Sequence, residues 1–188
     1  MMEPFRTVTS RVAPFPEPNV DTDQIIPKQF LKLVSRAGFG KHLFHDRRGP
    51  GFFLDDPRYA DCRILAAGDN FGCGSSREHA VWALKDHGFA VIVSTSFADI
   101  FNSNCIKNGI LPVRLPPDEA GRVMAERGPV TVDLGCQEIR MPDCTIPFRM
   151  DPYQRMVLLE GLDEIARTLG HESLISAYER NRGPPSLM

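Results

Sequence analysis

Short apolar runs alternate with amphipathic segments through the middle of this sequence. The run at 62–68, CRILAAG, is typical of a buried strand, and 76–88, SREHAVWALKDHG, has the apolar spacing of a helix that ends at a glycine. The alternation continues as strand, helix, strand and helix over 89–94, 95–109, 110–115 and 116–128. A chain that repeats this order packs helices against a sheet, so the sequence predicts the α/β class.

The flanking segments complete the predicted organisation. Residues 129–142 alternate like a half-buried hairpin, and the following run is predicted to be an edge strand because Pro147 cannot donate to a central ladder. Asp151 is predicted to cap a long helix, after which one more helix follows. The chain has 188 residues, a length that fits one domain. We expect a single domain over 1–180, with a mobile loop at about 28–50, and a disordered tail at 181–188.

Composition excludes several classes of function. The net charge is −2, and no basic patch with interleaved aromatic residues is present, so we expect no nucleic-acid partner. No apolar run is long enough to span a membrane, and the N-terminus lacks the apolar core of a signal peptide, so we expect a cytoplasmic protein without a membrane partner. The five cysteines are scattered and form no CxxC pair: Cys62, Cys73, Cys105, Cys136 and Cys144. This spacing disfavours disulfides and a metal site built by this chain alone.

The stretch GDNFGCGSSREHA, residues 68–80, joins the first predicted strand of the alternation to its helix. Glycines give the turn backbone freedom, and the free N–H groups and positive dipole end of a helix attract anions. Arg77 could add a two-pronged contact to a carboxylate or phosphate. Arg77 also stands where the dinucleotide-binding fingerprint needs its third glycine, and the GK[ST] of a P-loop is missing. The pattern therefore predicts an anion site of another kind.

A purely structural role competes for the same residues. Ser75 and Glu78 have the spacing of a capping box, in which the serine is the N-cap and the glutamate lies at N3. His79, on the first helical turn, is more commonly a packing or surface residue than a base. Asp21 and Asp23 could bind metal, orient a base or cap a helix. These local patterns do not decide between capping and chemistry.

Five segments in order, spanning about residues 5–178, resemble one protein family. They are similar to the small subunits of 3-isopropylmalate dehydratases (isopropylmalate isomerases), which belong to the aconitase swivel-domain family: NVDTDQIIPKQFLK, GFGKHLF, DNFGCGSSREHA, SFADIFNSNCIKNGILPV and LLEGLDEIARTL. The resemblance implies a swivelling β/β/α domain with a mixed sheet or small barrel and flanking helices. It also implies a dehydration and rehydration that convert 2-isopropylmalate to 3-isopropylmalate in leucine biosynthesis.

The resemblance assigns roles to individual residues. Matched position by position, Ser75 would be the catalytic base, and Ser76 and Arg77 would hold a substrate carboxylate. Asp23 matches the acid of the family's TD motif near the active site, and Arg36 matches a substrate-contacting arginine in the loop. A serine alkoxide is a high-energy base, so the turn would have to stabilise it through N–H donors, the helix dipole and a nearby cation.

The implied reaction also needs a Lewis acid for the departing hydroxyl. In this family a 4Fe–4S cluster supplies it, held by three cysteines of which two form a CxxC, and this sequence has no such pair. The resemblance therefore implies that this chain binds no cofactor itself and pairs with a large iron–sulfur subunit in a heterodimer. The active site would form at the interface between the two subunits.

Two alternatives remain open on the sequence. The chain could be the small subunit of a related hydro-lyase that acts on homoaconitate, citraconate or methylmalate-type acids. It could also be a non-catalytic anion-binding module that kept the fold without the activity. RNA binding, known for some aconitase relatives, is disfavoured by the absence of a basic, aromatic-bearing surface.

Overall fold

Two four-stranded sheets form the framework of this computed structural model, which describes residues 2–32, 38–162 and 164–182. In chain order the strands are β1 (Thr7–Ser10), β2 (Val12–Phe15), β3 (Ile64–Ala67), β4 (Val91–Ser94), β5 (Leu111–Arg114), β6 (Val130–Asp133), β7 (Glu138–Arg140) and β8 (Thr145–Pro147). One sheet is parallel, with the order β2-β3-β4-β5, and the other is antiparallel, with the order β1-β6-β7-β8.

Helices follow each central strand of the parallel sheet, as the alternating pattern predicts. The helices are α1 (Thr22–Ile25), α2 (Glu78–His87), α3 (Asp99–Asn108), α4 (Pro117–Ala125), α5 (Pro152–Glu160), α6 (Glu164–Leu169) and α7 (Glu172–Arg182). Short 3₁₀ turns occupy the long connection between α1 and β3: Lys28–Lys32, Gly40–His42, His45–Arg47, Phe53–Asp55 and Pro57–Tyr59. The α/β class is confirmed.

The parallel sheet is buried on both faces, which explains its continuous apolar strands. Successive side chains of a strand point to opposite faces, so β3 contributes Leu65 and Ala67 to one core and Ile64 and Ala66 to another. The first core includes side chains of α2, α3 and the long connection, and the second includes those of α4, α5 and the antiparallel sheet. The parallel sheet is therefore the central layer.

The division into two sheets is a detail that the expected mixed sheet or small barrel did not contain. β1 and β2 are separated only by Arg11, yet β1 pairs antiparallel with β6 and β2 pairs parallel with β3. Prolines lie in β2, β5 and β8, each of which is an edge strand where a missing N–H donor costs no ladder bond. The predicted edge position of the strand containing Pro147 is confirmed.

The predicted hairpin and most predicted helix ends are confirmed, but the long helix predicted after Asp151 is interrupted. α5 ends at Gly161, whose backbone is left-handed at φ 66°, and α6 begins at Glu164. Asp151 caps α5 by accepting from two backbone N–H groups at 3.0 Å, and β6 and β7 form the antiparallel hairpin. Gly109 ends α3 in the left-handed region at φ 78°. α7 continues to Arg182, beyond the predicted domain end at 180, and residues 183–188 of the predicted tail lie outside the described part.

Candidate active site

The turn at 68–77 lies at the carboxyl end of the parallel sheet. It leaves β3, while the neighbouring strands β2 and β4 send the segments 16–21 and 95–98 to the same edge. Ligand sites of open α/β sheets form in this position because several connections converge there on a rigid layer. The fold thus brings the turn next to the Asp21–Asp23 segment, which is 54 positions from Arg77 in sequence.

Left-handed backbone shapes the turn. Gly72 and Gly74 have φ values of 76° and 85°, which glycine adopts without the steric penalty of a side chain. A Cβ at Gly72 would also overlap the ring of Phe101 on α3, and a Cβ at Gly74 would approach the Cβ of Asp21 to 3.3 Å. These glycines are required both by conformation and by close packing.

Hydroxyl groups from the end of β4 hold the beginning of the turn. Ser94 Oγ donates to the Gly68 carbonyl at 2.6 Å, and the Asp69 carboxylate accepts from Ser96 Oγ at 2.5 Å and Thr95 Oγ1 at 2.8 Å. The Ser96 and Thr95 hydroxyls lower the pKa of Asp69 through these hydrogen bonds. An ionised Asp69 accepts from both hydroxyls at neutral pH, so these hydrogen bonds tie the entry of the turn to the residues that follow β4.

Residues just before and within α1 hold the middle of the turn. The Thr22 N–H donates to the Cys73 carbonyl at 3.0 Å, and Thr22 Oγ1 donates to the Ser75 carbonyl at 3.1 Å. Asp21 caps α1 in a capping box with Gln24, so the structural role that the sequence left open for this acid is the observed one. Thr22 is buried, and its bond fixes the backbone of Ser75.

The capping box that the spacing of Ser75 and Glu78 left open as an alternative is not formed. α2 begins at Glu78, two residues later than predicted, and its N-cap is Arg77, with extended backbone and no side-chain cap. The Arg77 N–H instead donates to the Ser75 carbonyl at 2.8 Å, and the Glu78 carboxylate accepts from Asn108 on α3. Ser75 is exposed, and its hydroxyl has no hydrogen-bond partner within the described residues. The Ser75 hydroxyl is therefore not used as a helix cap.

Backbone N–H groups without a described protein acceptor lie next to Ser75 in the turn. Within the described parts of the chain, the N–H groups of Gly74, Ser75 and Ser76 donate to no protein acceptor, and they precede the ten-residue helix α2. Unpaired N–H groups at the positive end of a helix attract negative charge. The arrangement can hold an anion such as a carboxylate or an alkoxide.

Two of the predicted substrate-binding residues form an ion pair across the turn. The Arg77 guanidinium contacts the Asp23 carboxylate, whose side chain is half exposed. The pair orients Arg77 at the edge of the turn, and an exposed pair of this kind is weak enough to be exchanged for another carboxylate. Ser76 is exposed next to Ser75, and Arg36 lies outside the described residues.

Cys73 borders the turn without the properties of a reactive thiol. Burial, with a smaller contribution from the Asp21 charge, raises its pKa, so the thiol stays protonated at neutral pH. Among the described residues no group of three or more His, Cys, Asp or Glu side chains is arranged to hold a metal ion. The donor set of an iron–sulfur cluster is not assembled by this part of the chain.

No described helix has the length and apolar character needed to cross a bilayer.

His79 is a packing residue near the turn, as its more common role suggested, with its ring centroid 5.5 Å from that of Phe39 and 4.6 Å from that of Trp82. Two other contributing residues carried no recognisable signal in the sequence. Thr22 and Asn108 act through contacts with residues that are 53 and 30 positions away. A pattern search over neighbouring residues cannot detect such partners.

Replacing Gly72 by alanine should destabilise the fold by about 3 kcal/mol or more, since the left-handed conformation and the overlap with Phe101 both carry a cost. Urea unfolding of the purified chain measures the effect. Gly121→Ala is the matched control, because Gly121 lies in α4 with nothing within 4 Å of a new Cβ. That variant should be stabilised by about 0.5–1 kcal/mol. Equal stabilities of the two variants would contradict the packing role of Gly72.

The chain is similar to one family of known proteins over nearly its whole length. The model of the aconitase C-terminal domain family matches residues 2–118. The chain is 50% identical to the 3-isopropylmalate dehydratase small subunit of Paramagnetospirillum magneticum, with 96% of each chain covered. It is 51% identical to the protein of the same name from Ruegeria sp., with 95% of each covered.

A solved structure agrees with these sequence relatives. The crystal structure of 3-isopropylmalate dehydratase (LeuD) from Methanocaldococcus jannaschii superposes with a TM-score of 0.72 at 29% identity, covering 92% of this chain and 99% of that one. The resemblance predicted from the five sequence segments is confirmed, and so is the fold that it implied. The chain belongs to the family of 3-isopropylmalate dehydratase small subunits, built on the aconitase C-terminal domain.

Proposed function

We propose that this chain contributes the base and the carboxylate-binding turn to a two-subunit hydro-lyase that converts 2-isopropylmalate to 3-isopropylmalate in leucine biosynthesis. One observation carries the proposal. The Ser75 hydroxyl is exposed and does not cap α2, and it belongs to a turn in which three consecutive N–H groups donate to no described protein acceptor. Family membership supports the reaction and its hydro-lyase class. A cytoplasmic location fits such a biosynthetic role.

Ser75 would act as the base in its alkoxide form. The alkoxide takes a proton from the substrate carbon next to a carboxylate, the hydroxyl leaves the neighbouring carbon, and the C–C single bond becomes a double bond. Hydroxide then adds to the carbon that lost the proton, and Ser75 gives its proton to the other carbon, which restores the alkoxide. The N–H groups of residues 74–76 would stabilise the negative charge that Ser75 carries before it takes the proton and again after it gives the proton back.

Arg77 and Ser76 would orient the substrate through a carboxylate. A guanidinium binds a carboxylate with two parallel hydrogen bonds, which fixes both position and rotation of the acid. In the chain alone the Asp23 carboxylate forms an ion pair with the Arg77 guanidinium. We propose that the substrate carboxylate displaces Asp23 from this exposed pair. Asp23 would thereby keep Arg77 extended over the turn until substrate arrives. Arg36 is proposed as a further substrate contact on the strength of the family pattern alone.

The partner would be a large subunit that carries a 4Fe–4S cluster. The relatives are named small subunits, which supports a larger partner, and the described residues of this chain assemble no set of cluster ligands. A cluster held by the partner would supply the Lewis acid that helps the substrate hydroxyl to leave. The exposed turn of this chain would then face the partner across the subunit interface.

Purified alone, this chain should show no measurable dehydratase activity, whereas adding the large subunit from the same source under anaerobic conditions should restore it. The measurement follows absorbance of the alkene intermediate with 3-isopropylmalate as the substrate. Parallel assays with citraconate, 2-methylmalate and homoaconitate separate the proposed substrate from those of related hydro-lyases. Turnover by the chain without a partner would contradict the two-subunit site, and preference for another acid would correct the substrate.

A further inference from the structure

Glu78 follows Arg77 directly, yet its carboxylate is held by the neighbouring helix α3. Asn108 Nδ2 donates to Glu78 Oε1 at 2.7 Å, and Asn108 is the last residue of that helix. The bond replaces the capping interaction that the local pattern predicted for Glu78. An acidic side chain at the entrance of an anion-binding turn thus has a specific partner elsewhere.

Asn108 is itself fixed at both ends of its side-chain amide. Its Nδ2 also donates to the Asn104 carbonyl at 2.9 Å, and its Oδ1 accepts from Trp82 Nε1 at 3.0 Å. Lys85 Nζ donates to the Asn108 backbone carbonyl at 2.5 Å. These contacts tie α2 to the end of α3 and leave the Asn108 amide a single orientation, with its N–H₂ group toward Glu78.

The position of the Glu78 charge matters because of what its neighbour would bind. A released carboxylate at position 78 would compete with a substrate carboxylate for the Arg77 guanidinium. It would also repel an anion held at the N–H groups of residues 74–76, since the repulsion between like charges grows as their separation falls. Among the described residues Arg77 pairs with the half-exposed Asp23, which a substrate carboxylate would displace under the proposed function.

We propose that Asn108 is a positioning residue that holds the Glu78 carboxylate on α3 and so keeps the anion-binding turn open to a substrate carboxylate. The inference rests on the proposed function, because it assumes that the turn binds an acid. Its action is electrostatic: Asn108 does not touch the substrate, and it sets where a neighbouring negative charge lies.

Asn108→Asp tests the proposal with nearly unchanged shape. The aspartate retains an acceptor for Trp82, loses the donor to Glu78 and to the Asn104 carbonyl, and repels the Glu78 carboxylate. In the enzyme reconstituted with its large subunit, KM for 3-isopropylmalate should rise about tenfold while kcat stays within about threefold. The double variant Asn108→Asp, Glu78→Gln exchanges amide and carboxylate between the two positions, restores a hydrogen bond of reversed polarity and has the wild-type net charge. Its KM should return to within about threefold of wild type.

The swap separates an electrostatic role from a merely structural one. A KM for Asn108→Asp within twofold of wild type would overturn the proposal. It would equally be overturned if the double variant kept the high KM of the single one, since that result means that the damage lies in packing at position 108 and has no connection with the Glu78 charge.

A second readout uses the chain alone and does not depend on activity. Trp82 is the only tryptophan, so its indole N–H gives one resolved NMR resonance. Asn108→Ala removes the acceptor at 3.0 Å, and the resonance should move upfield. A resonance that stays in place would show that the Trp82 contact does not exist in solution and would overturn the proposal. If the wild-type pair fails to convert 3-isopropylmalate, the proposed function fails, and the indole resonance still decides the Asn108 network.

Discussion

Ser75→Ala should lower kcat of the reconstituted enzyme by a factor of about 10² to 10⁴, with KM changed only a few-fold. The variant removes the oxygen that would transfer the proton, and a positioned base contributes a factor of this size. Ser75 is exposed and its hydroxyl bonds no described residue, so alanine should cost little stability and leave assembly with the large subunit intact. Steady-state kinetics on complexes purified by size exclusion measure both parameters.

Ser76→Ala is the matched control for that experiment. It deletes the neighbouring hydroxyl from the same exposed turn, and we expect it to act mainly on KM because Ser76 is proposed to contact the substrate. Near-wild-type kcat for Ser75→Ala would remove this serine from the mechanism and favour the non-catalytic anion-binding alternative. Failed assembly of either variant would show up in the size-exclusion profile and would contradict the expectation that these exposed hydroxyls are not needed for complex formation. An equal loss of kcat in both assembled variants would contradict the assignment of Ser75 as a specific base.

Arg77→Ala should lower kcat/KM by a factor of about 10² to 10³, since it removes two charge-assisted hydrogen bonds to a substrate carboxylate. Arg77→Lys should recover only part of this loss, because an ammonium group cannot make the paired contacts of a guanidinium. The lost pair with Asp23 is exposed, so the unfolding midpoint should change little in either variant. Kinetics with 3-isopropylmalate and a thermal melt of the chain measure the two effects.

Asp23→Asn separates the guanidinium from its partner. It leaves Arg77 in place but removes the charge that holds it, so the loss in kcat/KM should be smaller than for Arg77→Ala. If Asp23→Asn and Arg77→Ala proved equally damaging, the carboxylate would have a role in the reaction beyond orienting Arg77. Wild-type kinetics for Arg77→Ala would rule out its proposed contact with the acid.

The capping box at Ser75 and Glu78, an alternative that the sequence could not decide, shows the limit of local reasoning. Ser75 and Glu78 have the spacing of the motif, and in an isolated helix each would satisfy the other's backbone. In the folded chain Thr22 takes the Ser75 carbonyl, and Asn108 takes the Glu78 carboxylate. Both partners come from other elements of the fold, so their identity is set by packing that no short window of sequence contains.

The sequence by itself determined the α/β class, most strands and helices, and the turn on which the proposed chemistry depends. It could do so because apolar periodicity and the backbone freedom of glycine are local properties, and because five ordered segments match one family. The tertiary structure alone decided that the strands form two sheets, that Asp23 forms an ion pair with Arg77, and that the Ser75 hydroxyl does not cap α2. Those outcomes depend on contacts between residues dozens of positions apart, whose energies exist only once the chain has folded.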